Sequence, residues 1–295
     1  MSDFLLSILL GVVEGLTEFL PVSSTAHLRI CEVVLTKFGL ANISLDDSFW
    51  KMYTIVIQLG AILALPVYFW ERIMKLLRTF PAGERGDRTI LTHPLSLTMI
   101  AFVITAIPAW ALKKQIGENL ENLWVISWAI LIGGIIMWIV DLAFTRPKIQ
   151  QMDEINLWQT AWIGAAQILS AVFPGTSRSM STIAAGQTAG LSRPAALEFS
   201  FFLSMPTMTV ATLYDLYKTI APNRNLPVEG NLAPLAVSGH QWIVLVIGFV
   251  ISFMVALAVV AWFIRWVRAR GFAPFAIYRI ILGIVMLISL ARGLI

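Results

Sequence analysis

Acidic, hydroxyl and imidazole side chains interrupt an apolar N-terminal stretch, 11-GVVEGLTEFLPVSSTAHLRI-30. Glu14 and Glu18 stand four residues apart, so they share one face of a helix. Such a carboxylate pair can hold a hard divalent cation, which prefers oxygen ligands and phosphate. Ser24 and His27 are three residues apart and would be neighbours on a following helix. The nucleophile is then either Ser24, with His27 as its base, or a water activated by His27 or a glutamate.

A second polar break, 174-PGTSRS-179, interrupts another apolar stretch. Free backbone N–H groups at the start of a helix form an anion site, and Arg178 adds a planar donor suited to phosphate oxygens. If the two breaks met inside the membrane, cation, arginine and helix starts would together form a pyrophosphate site. The predicted members besides the glutamates are Ser23, Ser24, Thr25 and His27 of the first break and Thr176, Ser177, Arg178, Ser179 and Thr182 of the second.

A structural alternative exists for the same residues. Arg178 could pair with Glu14 or Glu18 as an internal ion bridge in a transporter, without any role in catalysis. The two readings share the expectation that these charges face a common cavity, because charged side chains at bilayer depth rarely face lipid.

The composition identifies the protein class that must position these residues. Of the 295 residues, 58% are hydrophobic and 13% are charged, whereas soluble domains carry about 25% charged residues. The chain is therefore predicted to be a polytopic membrane protein. Its single cysteine, Cys31, excludes a disulfide framework and a cysteine-based zinc site.

The apolar pattern predicts an all-α fold with six full transmembrane helices and two re-entrant helical hairpins. A spanning helix needs roughly 20 mostly apolar residues. Two broken regions, 4–38 and 155–190, are each interrupted by a proline and small hydroxyl residues, so each would enter the membrane and return. The six predicted spans are 50–70, 95–112, 122–143, 196–218, 240–264 and 273–291.

Basic loops predict the orientation of these elements. Positive charge concentrates in segments 71–88, 144–154 and 265–270, and such loops stay cytoplasmic. The second hairpin would then open toward the cytoplasm, the first would open outward, and 219–239 would form an outer loop.

The two broken regions also resemble each other. GVVEGLTEFLPVSST aligns without a gap on GAAQILSAVFPGTSR, pairing Pro21 with Pro174 and Ser24 with Ser177. This similarity predicts two inverted repeats, residues 1–150 and 151–295, each made of one hairpin and three spans.

Taken together, the motifs resemble the bacterial undecaprenyl pyrophosphate phosphatases, the bacitracin-resistance family. The resemblance extends over nearly the whole chain. Ala26 and Met180 stand where that family usually has glycine. The matching segments are 14-EGLTEFLPVSSTAH-27, 57-IQLGAILA-64, 174-PGTSRSMSTI-183, 198-EFSFFLSMP-206, 214-YDLYK-218 and 275-FAIYR-279.

The resemblance implies hydrolysis of undecaprenyl pyrophosphate to the monophosphate carrier lipid of peptidoglycan synthesis, with bacitracin resistance as a consequence. It implies Mg²⁺ or Ca²⁺ as cofactor, a multi-pass location in the bacterial cytoplasmic membrane, and a site toward the outer, periplasmic face. The expected partners are the polyprenyl pyrophosphate and membrane lipid, with no nucleic acid. Oligomeric state stays open, a homodimer included.

A rival function of another class is a transporter or flippase for polyprenyl phosphate or another anion. Inverted repeats with broken helices are also a transporter architecture. The fold alone therefore does not decide between transport and hydrolysis.

Overall fold

The computed structural model describes residues 1–41, 43–45, 47–84, 86–120, 122–220 and 237–294. Within these residues the backbone is helical, with no strand beyond one isolated bridge between Ile149 and Leu191. The helices are α1 (Asp3–Thr17), α2 (Ser24–Lys37), α3 (Ser48–Tyr68), α4 (Trp70–Thr79), α5 (Pro94–Ala111), α6 (Lys113–Leu120), α7 (Leu123–Ala143), α8 (Leu157–Val172), α9 (Arg178–Thr188), α10 (Arg193–Ile220), α11 (Gly239–Arg270) and α12 (Ala273–Ala291), with a 3₁₀ turn at Met152–Glu154.

Six of the described helices are long and apolar enough to cross a membrane: α3, α5, α7, α10, α11 and α12. Each coincides with a predicted span. The prediction of an all-α polytopic membrane protein is therefore confirmed. The boundary between two repeats at residue 150 stays a prediction.

The two broken regions form helix pairs, α1 with α2 and α8 with α9. Their helices have 11 to 16 residues, which at 1.5 Å per residue is too short to span the roughly 30 Å hydrocarbon core. The residues between them, 18–23 and 173–177, are the two breaks, called here break 1 and break 2. Pro21 and Pro174 lie within them, and a proline disrupts the hydrogen bonding of a continuing helix.

The two hairpins open toward opposite ends of α11. At the open end of the first, Asp3 contacts His240 in the first turn of α11 at 3.0 Å. At the open end of the second, Arg193 starts α10 and donates to Asp141 at 2.6 Å. Asp141 also accepts from the backbone N–H of Phe272, just beyond the last residue of α11. Breaks that enter from opposite ends can meet in the middle.

Close helix packing fixes the depth of α1. A Cβ atom on Gly15, between the two glutamates, would lie 2.7 Å from the carbonyl oxygen of Ser252 on α11. Only glycine permits this approach, and small residues are the usual means by which membrane helices pack closely. Ser7 on the same helix donates to the carbonyl of Val244 at 2.7 Å. Glu14 and Glu18 are therefore carried on a helix with a fixed position.

Three segments differ from the sequence-based expectations. The basic segment 71–88 contains most of α4, and Lys113–Leu120 forms α6. Residues 265–270 are helical, because nothing interrupts α11 before Gly271, whose φ of +68° ends it. The predicted outer loop 219–239 lies mostly outside the described residues.

Candidate active site

Glu18 joins the two breaks. It is the residue that follows α1, it is 7% exposed, and its two carboxylate oxygens have different partners. Ser24 donates its hydroxyl to Oε2 at 2.7 Å. Arg178 donates from Nη2 to Oε1 at 3.1 Å. One carboxylate from the first hairpin thus holds a hydroxyl of its own hairpin and a guanidinium of the other.

Ser24 and Arg178 reach Glu18 because they occupy the same position in their helices. Each is the first helical residue after its break, preceded by a serine with a left-handed backbone: Ser23 has φ +75° and Ser177 has φ +69°. Such a conformation costs a non-glycine residue roughly 1–2 kcal/mol. The gapless alignment paired Ser24 with Ser177, whereas the backbone conformation pairs Ser23 with Ser177. The difference arises because one residue lies between proline and this serine in break 1 and two residues lie between them in break 2.

Serine hydrogen bonds order the start of α9 and connect it to break 1. Ser179 donates to the carbonyl of Leu20 at 3.1 Å, and its hydroxyl lies 3.1 Å from that of Ser177. Ser177 also accepts from the N–H of Met180. Of these two serines, both predicted to bind substrate, Ser179 connects the two hairpins and Ser177 bonds within its own hairpin. Thr25 and Thr176, also predicted to bind substrate, are half-buried.

Arg279 was not assigned to the site from the sequence, yet it contacts both breaks. This α12 residue is fully buried. Its guanidinium donates to the carbonyls of Pro21 at 3.2 Å, Gly175 at 2.9 Å and Ala129 at 3.2 Å. A lone arginine in an apolar span is the signal that could have identified it, since buried charge in a membrane is costly unless it is paired.

Glu14 lies one turn before Glu18, whose backbone N–H donates to the Glu14 carbonyl, and Glu14 is 1% exposed. Among the described residues, no group of three or more His, Cys, Asp or Glu side chains is close enough to hold a metal ion. The described part of the chain therefore offers a cation two carboxylates, with the Ser24 hydroxyl beside that of Glu18. Mg²⁺ and similar ions are often held by one or two carboxylates together with substrate phosphates and water, so this donor set fits a substrate-completed cation site.

His27 and Ser24, expected to be neighbours, have separate partners. The Nδ1 atom of His27 lies 2.7 Å from the Ser23 carbonyl oxygen, and Nε2 lies 2.7 Å from the Tyr278 hydroxyl. Ser24 bonds to Glu18 instead. In this arrangement the group placed to take the Ser24 proton is a carboxylate.

Thr182, which was predicted to bind substrate, has a structural role. It is 1% exposed, donates to the carbonyl of Arg178 one turn earlier at 3.0 Å, and lies 2.7 Å from the Ser200 hydroxyl of α10. It therefore ties the first turn of α9, and with it Arg178, to the neighbouring span.

Arg178 has hydrogen-bonding capacity left over. Its Nε and Nη1 atoms are buried and have no acceptor among the described residues. Buried donors of this kind nearly always have a partner, and a guanidinium is well suited to binding phosphate oxygens. An oxyanion beside Glu18 and Ser24 would supply that partner.

Ala26 and Met180 pack among apolar residues. Ala26 is fully buried in a cluster with Ile126, Ile130 and Met286. Met180 belongs to the main apolar core, and its Cε would lie 2.8 Å from a Cβ on Gly133. Both side chains therefore fill space between helices.

Fold and site together define a polytopic membrane protein in which two opposed helical hairpins build one buried carboxylate–serine–arginine centre. Comparison with known proteins specifies the family: the model for the bacitracin resistance protein BacA matches residues 7–285, and the chain belongs to this family. A Koribacter versatilis protein named undecaprenyl-diphosphatase is 59% identical over 288 residues, covering 97% of this chain and 98% of that protein. Proteins of the same name from Caldanaerobacter subterraneus and Deinococcus radiodurans are 38% and 34% identical, each covering at least 97% of both chains.

Proposed function

We propose that this protein is a membrane phosphatase that hydrolyses undecaprenyl pyrophosphate to undecaprenyl phosphate and inorganic phosphate. The observation that carries the proposal is the Glu18 carboxylate, which holds the Ser24 hydroxyl at 2.7 Å and the Arg178 guanidinium at 3.1 Å. Family membership and the printed name of the relatives support the substrate. A purely structural ion bridge would not require a serine hydroxyl on the same carboxylate, nor leave two arginine donors without acceptors.

The geometry favours Ser24 as nucleophile and Glu18 as its base. Ser24 Oγ attacks the terminal phosphorus while its proton passes to Glu18 Oε2. The bond between that phosphorus and the bridging oxygen breaks, and the lipid monophosphate leaves with the electron pair. Arg178 binds the equatorial oxygens, whose charge is largest in the transition state.

Water completes the reaction. It attacks the phosphoserine, and its proton passes to the imidazole of His27, whose Nδ1 faces the Ser23 carbonyl. The bond between phosphorus and Ser24 Oγ breaks, and Glu18 returns the proton to that oxygen. Inorganic phosphate leaves, His27 releases its proton, and one water has been consumed.

Glu14 and Glu18 are the residues that would hold a divalent cation, Mg²⁺ or Ca²⁺. Such an ion, when bound with the substrate, would offset the negative charge of the pyrophosphate. The two adjacent buried carboxyl groups support this assignment, because they repel each other when both are ionised.

Family membership and the opening of the first hairpin support a place in the bacterial cytoplasmic membrane with the site toward the outer face. Break 1 belongs to the hairpin that opens at the Asp3–His240 end, opposite the end of α11 that carries Arg265, Arg268 and Arg270. If that basic end is cytoplasmic, the first hairpin opens outward.

The test is phosphate release by purified protein in detergent from undecaprenyl pyrophosphate with Mg²⁺ or Ca²⁺. We expect release by the wild type and a loss of at least 100-fold, roughly the effect of removing one transition-state donor, for Arg178→Ala. The same protein in vesicles is tested for movement of labelled polyprenyl phosphate across the bilayer. Movement without phosphate release would replace the phosphatase by the transporter.

A further inference from the structure

Tyr278 contacts the site from α12 but has no assigned role. Its hydroxyl lies 2.7 Å from His27 Nε2, and the two rings are nearly parallel, with centroids 5.7 Å apart and an angle of 14° between their planes. Tyr278 is 44% exposed, whereas the next residue, Arg279, is fully buried. The tyrosine therefore lies at the edge of the site.

The partners of His27 determine where its proton is. A backbone carbonyl can only accept a hydrogen bond, so Nδ1 must carry the hydrogen that it donates to Ser23. In the neutral ring, Nε2 then has the lone pair, and the Tyr278 hydroxyl is its donor. This hydrogen bond occupies the lone pair of Nε2, so a proton from water reaches the ring through the hydroxyl. The hydroxyl gives its own proton to Nε2 and takes the proton of the water, because a phenol both donates and accepts.

Tyr278 is held in place by its neighbour. The three hydrogen bonds of Arg279 to carbonyls of break 1, break 2 and α7 anchor α12 at one height relative to both breaks. The Ser23 carbonyl, the other contact of His27, belongs to break 1. Both contacts of the imidazole are thus fixed to the same part of the site.

We propose that Tyr278 is the proton relay of the phosphatase site: its hydroxyl gives its proton to Nε2 of His27 and takes the proton of the hydrolytic water. The proposal rests on the proposed function, in which the imidazole of His27 receives that proton. Tyr278 acts through His27, whose Nδ1–H tautomer is fixed by the Ser23 carbonyl.

The first measurement is the ¹⁵N spectrum of histidine-labelled protein, which contains only three histidines. His27→Gln identifies the His27 signals. We expect the wild type to show a protonated Nδ1 and an unprotonated, hydrogen-bonded Nε2, and Tyr278→Phe to move the Nε2 signal. Phenylalanine retains the ring contact, so the fold should be unaffected.

The second measurement is the rate of phosphate release. We expect Tyr278→Phe to lower kcat about 3- to 10-fold, the effect of one hydrogen bond, with KM unchanged. The loss should disappear in a His27→Gln background. Tyr68→Phe is the matched control: Tyr68 is 39% exposed at the end of α3, and removing its hydroxyl should change neither signal nor rate.

An unchanged His27 spectrum or an unchanged kcat in Tyr278→Phe would overturn the proposal. So would a loss of rate in the His27→Gln background as large as the loss that Tyr278→Phe causes in the wild type. The spectrum also separates the two claims. If wild-type protein releases no phosphate, the proposed function is wrong, whereas a shifted Nε2 signal still supports the contact between Tyr278 and His27.

Discussion

Glu18→Gln should abolish most activity and also weaken the fold, because this carboxylate serves both hairpins. Glutamine has almost the same shape, but it has one acceptor oxygen and carries no charge. It cannot take the Ser24 proton. Loss of a general base lowers the rate roughly 10²- to 10⁴-fold, so we expect a fall in kcat within that range.

The expected loss of stability follows from the burial of the ion pair between Glu18 and Arg178. The side chains of Arg178 and Glu18 are 12% and 4% exposed. Removing one partner of a buried ion pair costs about 3–5 kcal/mol, since the other charge is left unpaired. We therefore expect a lower unfolding temperature in detergent. The double variant Glu18→Gln with Arg178→Gln should recover part of this stability while remaining inactive.

Phosphate release and thermal unfolding are measured on the same preparations. The matched control is Glu32→Gln on α2. Glu32 pairs with Arg29 at 3.0 Å within one helix and also accepts the backbone N–H of Leu45 at 2.8 Å, which the amide oxygen of glutamine can still accept. The variant therefore loses one i,i+3 charge pair, about 0.2–0.5 kcal/mol, so activity should be unchanged and the loss of stability should be much smaller than in Glu18→Gln. Wild-type kcat in Glu18→Gln would refute the assignment of Glu18 as the base for Ser24.

Three further outcomes are expected. Arg178→Lys should lower kcat/KM about 10²- to 10³-fold, because one point charge replaces a planar set of donors; near-wild-type phosphate release would remove Arg178 from the transition state. EDTA should stop phosphate release, and added Mg²⁺ or Ca²⁺ should restore it in wild type but not in Glu14→Gln; activity unaffected by EDTA would exclude the cation. Met180→Ala should lower stability by about 2–5 kcal/mol, as core truncations do, while the kcat of the folded fraction stays close to wild type; a changed kcat at unchanged stability would place Met180 in the substrate path.

The spans and hairpins were predictable from the sequence because bilayer thickness sets a length that apolar runs must meet. All six predicted spans coincide with helices within a few residues. What the hydropathy pattern could not show is a helix too short and too polar to span the membrane. Residues 70–79 are too polar to count as a span, yet they form α4.

The site was predictable in its members and less so in its contacts. Glu18 and Arg178 were expected to share a cavity, and they lie 3.1 Å apart. The partner of Ser24 was not predictable, since helical spacing also placed His27 next to Ser24. That choice depends on the left-handed backbone of Ser23, which turns the first residue of α2 toward the end of α1. No periodicity in the sequence encodes such a local turn.

Arg279 and Tyr278 show a second limit. Both stand within the motif 275-FAIYR-279, and both contact residues more than 100 positions away. Spacing on one helix says which face each residue occupies, but not which distant loop lies against that face. Only the packing of α12 on the two breaks assigns Arg279 to their carbonyls and Tyr278 to His27.

The most direct test of the account is to follow the terminal phosphate of undecaprenyl pyrophosphate labelled at that position. Purified protein is mixed with this lipid, quenched in acid within one turnover, and digested for identification of labelled peptides. The account predicts transient label on Ser24 in the wild type and none in Ser24→Ala or Glu18→Gln. Labelled inorganic phosphate formed with no label on Ser24 at any time would contradict it.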